Sequence, residues 1–166
     1  MRQKKTQEPL TPEEEYDRAA SAAARMLSRR PLSERALGEK LREKGFSEDA
    51  ADYAVERMKV LGALDDRAYA ERVVQSYRRK GCGRLRILQE LEHRRVPKEL
   101  AQEALDAFEP DWDAMIAILG KKLHGDVSDR KQNDKACAAL QRRGFSFAQI
   151  REAMQRYRES LEEITR

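Results

Sequence analysis

The sequence predicts an all-α protein made of three tandem three-helix repeats of helix-turn-helix type, arranged in an elongated, curved array. Three observations lead there. A short hinge recurs as Gly45-Phe46-Ser47, as the degenerate Arg95-Val96-Pro97, and as Gly144-Phe145-Ser146. Positions 45 and 95 lie fifty residues apart and 95 and 144 forty-nine, a period that marks a copied supersecondary unit burying its apolar faces on its neighbours. The apolar residues around each hinge also repeat. Leu37/Leu41, Ile87/Leu91 and Ala136/Leu140 precede it, while Ala51/Ala54/Val55/Met58, Ala101/Ala104/Leu105/Phe108 and Ile150/Ala153/Met154/Tyr157 follow it. These spacings are helical, and nothing alternates with the period of two that a half-buried strand requires.

The elements follow in order. Residues 1–11 form a polar tail without periodicity. Thr11-Pro12-Glu13-Glu14 is an N-cap, a proline at the first helical position and an acid at the third, a capping box that opens the first repeat, 12–61. Tyr16, Ala20, Ala23 and Leu27 continue this helix to Arg29-Arg30-Pro31. Ser33 caps a second helix that stops at Gly45, placed where a left-handed residue ends a helix cheaply. Ser47 and Ser146 are N-caps of third helices, with Gln149 completing a capping box, and Phe46 and Phe145 tuck between helices. The second repeat spans 62–109, with Asp65 as N-cap and Tyr69, Ala70, Val73, Val74 and Tyr77 on its first stripe. The third, 110–166, opens at Pro110-Asp111 and carries Met115, Ile116, Leu119 and Leu123. Trp112, at its start, is expected to pack between repeats.

Composition bounds the function. Charged residues make up 39%, above the roughly 25% of average domains, with 40% apolar residues and a mean hydropathy of -0.88. That balance suits thin units with much surface. No apolar run approaches the ~18 residues of a membrane span, and no apolar segment follows the charged N-terminus as a secretory signal would. Cys82 and Cys137 form no paired-thiol motif, so two free thiols in a reducing cytoplasm are expected. The net charge of +4 excludes a polycation, which leaves the placement of the charges to decide.

The cations gather. They follow each repeat's first helix, as Arg29/Arg30, as Arg78, Arg79 and Lys80 with Arg84 and Arg86, and as Lys121/Lys122 with Arg130/Lys131. They gather again at the hinges, as Arg42/Lys44, Arg94/Arg95 and Arg142/Arg143. Stacked repeats would present them in rows that match a polyphosphate backbone or an acidic protein groove. A plainer account is that cations at helix C-termini offset the helix dipole, worth about 0.3–1 kcal/mol each. For the hinge pairs the two accounts balance. From Arg78 to Arg86 there are five cations, no acid and two glycines, more than dipole matching requires. The tyrosines on the stripes are expected to be core residues rather than base-stacking platforms. His93 and His124 lack zinc-ligand spacing, and no phosphate-binding loop, nucleophile motif or carboxylate pair stands out. Neither catalysis, nor a metal, nor a cofactor is expected.

The run Ser33-Glu34-x-x-Leu37-x-x-Lys40-Leu41-x-x-Lys44-Gly45-Phe46, then Gly62-Ala63-Leu64-Asp65-Asp66-x-x-Tyr69-Ala70, resembles the bacterial RecX family, regulators of the RecA recombinase. The resemblance continues through Arg78-x-Lys80-Gly81-x-Gly83-x-x-Arg86-Ile87-x-x-Glu90-Leu91 and covers nearly the whole chain after the tail. It implies a cytoplasmic, non-enzymatic, monomeric chain that binds RecA and RecA–DNA filaments. It further implies inhibition of recombinase, ATPase and coprotease activities, hence regulation of DNA repair and the SOS response, with weak DNA binding compatible. Arg78, Arg79, Lys80, Arg84, Arg86, Arg94, Arg95, Arg142 and Arg143 are the candidate partner or DNA contacts. Two positions depart from the family pattern: Ala63 replaces a bulkier residue, and Arg95 replaces a hinge glycine, which costs energy in the left-handed region.

Overall fold

The computed structural model describes residues 11–165; most of the polar tail lies outside them. The described residues form nine α-helices and no strand. The chain divides into two compact units, the first ending at Tyr69 and the second beginning at Ala70.

The first unit is built on α1 (Pro12–Arg29), α2 (Glu34–Glu43) and α3 (Glu48–Val60). The Thr11–Glu14 capping box opens α1, and Ser33 and Ser47 cap α2 and α3 through the amides of Ala36 and Ala50. Ala19, Ala23, Ala50, Ala51 and Ala54 pack with Leu37, Leu41 and Met58 in one buried cluster. Small residues on α1 and α3 let these two helices approach closely, while each buried leucine contributes roughly 1.5–3 kcal/mol. Tyr16 stacks on Tyr53 at 5.0 Å between ring centroids, at the edge of this core. The Glu15 carboxylate accepts bonds from the Ser47 amide at 2.7 Å and hydroxyl at 2.9 Å, tying the start of α1 to the hinge. The buried Asp66 accepts the Glu34 amide at 2.9 Å, so the start of α4 (Asp66–Arg79) supplies a cap for α2.

The second unit continues α4 with α5 (Arg84–His93) and α6 (Lys98–Asp106), then α7 (Trp112–Leu123), α8 (Arg130–Arg142) and α9 (Phe147–Thr165). Tyr69, at the end of the first unit, is buried, as are Val73, Val74, Ile87, Leu91 and Leu105 of the second. Met115, Leu119, Leu123, Ala136, Leu140, Ile150, Ala153 and Tyr157 form the core of the third repeat. Asp65 caps α4 as expected, and Asp111, at the expected start of the third repeat, caps α7.

The hinge closes identically in all three repeats. The amides of Phe46, Val96 and Phe145 donate to the carbonyls of Leu41, Leu91 and Leu140, and those of Gly45, Arg95 and Gly144 donate to Arg42, Glu92 and Gln141. This paired 6→1 and 5→2 pattern ends a helix on one left-handed residue. Gly45 and Gly144 have φ of 93° and 87°, and Arg95 is held in the same region at 61°. The repeat's backbone plan therefore overrides the preference of an L-residue, at about 1–2 kcal/mol. Trp112 differs from expectation. It packs on the core of its own repeat, with the Arg156 guanidinium 4.3 Å from its ring centroid, because α9 reaches back across the start of α7.

Candidate partner-binding site

The predicted basic segment from Arg78 to Arg86 is mostly helical. Arg78 and Arg79 end α4, Lys80 to Gly83 form the connection, and Arg84 and Arg86 lie in the first turn of α5. This changes the electrostatics. Cations at the end of α4 are favoured by its dipole, whereas Arg84 and Arg86 sit at the positive end of α5, whose first turn holds no acid. Something other than dipole matching must account for them.

For Arg84 the structure supplies it. Its guanidinium donates to the Leu105 carbonyl and to the Gln102 side chain, capping the end of α6. Arg78 likewise donates to the Glu109 carbonyl at 2.7 Å. Arg143 donates to the Lys80 carbonyl at 3.0 Å. Arg94 pairs with Glu90 at 2.6 Å and lies 5.9 Å from the Tyr77 ring centroid, which Lys80 approaches to 4.9 Å. Burial pushes the Glu90 carboxyl up, but bonds from Arg94 and Tyr77 outweigh it and hold the group below its ordinary value. Arg78, Arg84, Arg94 and Arg143 thus fix the internal geometry of the second unit.

Two of the predicted patches meet. The Gly83 amide donates to the Arg143 carbonyl at 2.7 Å and the Leu85 amide to the Gly144 carbonyl at 3.4 Å. A Cβ on Gly83 would collide with the Gly144 carbonyl and lie 2.6 Å from the Phe145 nitrogen. A Cβ on Gly144 would lie 2.8 Å from that of Arg86. The glycines of the basic segment therefore serve a backbone-to-backbone contact that joins the second repeat's connection to the third repeat's hinge. Arg79, Arg86 and Arg142 remain exposed around it, with no acidic partner among the described residues. Arg95 is exposed too and belongs to the neighbouring hinge.

Sequence reasoning passed over Phe147, which is 72% exposed at the start of α9. It follows the hinge serine and lies three residues before Ile150 and seven before Met154, at the edge of the apolar stripe, a spacing the sequence shows. It borders a cleft with Ile150, Met154, Arg151 and Arg158. Among the described residues no cluster of three or more His, Cys, Asp or Glu could hold a metal ion, and no helix is long and apolar enough to cross a membrane. Both cysteines are free thiols, and burial, with Asp134 nearby, pushes that of Cys137 above its ordinary value.

Tandem three-helix repeats with basic side chains grouped at their hinges define an all-α helical-repeat protein. Family models for the first, second and third three-helix domains of RecX match residues 19–58, 65–105 and 109–154. The Regulatory protein RecX of Halorhodospira halophila is 34% identical over 134 residues, covering 80% of this chain and 83% of that protein. That of Xanthomonas axonopodis pv. citri is 37% identical over 130 residues, 77% and 80% of the two chains. The crystal structure of RecX from Lactobacillus salivarius shares the fold at a TM-score of 0.77 and 21% identity, over 86% of this chain and 96% of that one. The chain belongs to the RecX family.

Proposed function

We propose that this protein binds RecA within the groove of RecA–DNA filaments and lowers their recombinase, ATPase and coprotease activities. The observation that carries this reading is the family membership, together with three exposed, unpaired arginines around the Gly83–Arg143 contact. Arg79, Arg86 and Arg142 are the contacts we favour from the wider set, because Arg78, Arg84, Arg94 and Arg143 already bond within the second unit. Weak contacts from linked repeats would act at high effective concentration, bridging successive protomers. Bound in this way, the protein would work as a monomer in the cytoplasm, without a cofactor and without catalysing a reaction. Titrating it into a RecA–single-stranded DNA filament while following ATP hydrolysis, across salt concentrations, tests the reading. Hydrolysis should fall, less so at high salt, where exposed charges are screened. Unchanged hydrolysis at every ratio would refute it.

Binding to naked DNA is a second reading, supported by the exposed cations of the hinges. It predicts tight, salt-sensitive affinity that needs no recombinase.

A further inference from the structure

The first repeat carries a cleft of ≈ 480 Å³ between the end of α1 and α2. Met26 and Leu32 form its floor, and Arg29, Arg30, Lys40 and Lys44 its rim, with Glu43 the one acid among the lining residues. None of the four cations is ion-paired among the described residues, unlike Arg42 and Lys59 nearby, which hold Asp52 and the pair Glu34/Glu56. The cleft adjoins a smaller one that adds Arg25, so the positive rim continues along α1. Helix ends explain part of this charge: Arg29, Arg30 and Lys44 close α1 and α2. They do not explain why all four rim cations, Lys40 in the last turn of α2 included, lack an ion pair among the described residues.

We infer that this cleft is a docking site for an acidic protein segment anchored by an apolar side chain. Carboxylates would meet the four cations, and the anchor would cover Met26 and Leu32. Such a division, with an apolar centre and a charged rim, is that of protein interfaces. Nucleic acid fits less well. Its bases require an aromatic platform, which no lining residue supplies, and its backbone would leave the apolar floor uncovered. The inference stands apart from the regulatory reading, since it concerns residues outside the second unit and its test contains no recombinase.

The probe is a fluorescein-labelled peptide of glutamates with leucine at every fourth position, titrated with the full chain at low salt and followed by anisotropy. An oligothymidine of similar charge is titrated in parallel. The double variant Arg29→Glu/Lys44→Glu should weaken peptide binding by at least about tenfold, since opposed rim charges act on both affinity and encounter. Lys131→Glu/Lys135→Glu, which changes net charge equally, should leave it within about twofold. Should the reversed variant lose helical circular dichroism, Arg29→Gln/Lys44→Gln replaces it, with a loss of about fivefold expected. Equal losses in the cleft and control variants, or a loss confined to the oligothymidine, would overturn the inference.

Discussion

The Gly83 amide meets the Arg143 carbonyl at 2.7 Å, a backbone bond between residues sixty positions apart. It fuses the connection of one repeat to the hinge of the next and leaves no space for a side chain on either glycine beside it. Gly83→Ala and Gly144→Ala should each destabilise the second unit by about 2 kcal/mol or more, because backbone cannot yield as a flexible side chain does. Urea denaturation followed by circular dichroism measures this. Gly45→Ala is the comparison: its Cβ would meet nothing within 4 Å, so it should cost only the left-handed strain, about 1 kcal/mol.

The basic residues should separate into two groups. Arg84→Ala removes the donor that caps the end of α6, and Arg78→Ala the donor to Glu109, so each should lose about 1 kcal/mol of stability. Arg86→Ala and Arg142→Ala, which leave no internal bond broken, should stay within about 0.5 kcal/mol of the parent. Thermal unfolding of the four single variants decides the matter. Losses of similar size in all four would mean that the exposed arginines are structural as well.

Asp66 and Glu90 should give opposite pH dependence. Burial is the main cause that raises the Asp66 carboxyl above its ordinary value, although the Glu34 amide works against it. The folded state therefore holds this proton more tightly than the unfolded chain does. Its contribution to stability grows as pH falls through the raised value and is complete below the ordinary one. Glu90 is lowered, so its contribution is present above the ordinary carboxylate value and lost as pH falls through the depressed one. On acidification from pH 7, wild type should gain relative to Asp66→Asn and lose relative to Glu90→Gln. Denaturant midpoints measured over that range would show two difference curves of opposite slope.

Much of the fold was legible because its signals are local. Ser33, Ser47, Asp65, Asp111 and Ser146 act as caps through bonds to amides three residues ahead, a spacing visible in the sequence. The degenerate hinge was readable for the same reason: Arg95 turns left-handed because Val96 must still reach the Leu91 carbonyl and bury its side chain. The candidate site was harder to read. Which arginines are spent internally depends on carbonyls distant in sequence, at Leu105, Glu109 and Lys80, and no spacing rule foretells them. Trp112 was misplaced because its cover, Arg156, comes from the far end of the same repeat.

Inhibition by the triple variant Arg79→Glu/Arg86→Glu/Arg142→Glu is the most direct measure of the proposed interface. With helicity and melting temperature unchanged, it should need at least about tenfold more protein than wild type to halve ATP hydrolysis by a RecA–single-stranded DNA filament. Half-inhibition at the wild-type concentration would contradict the account.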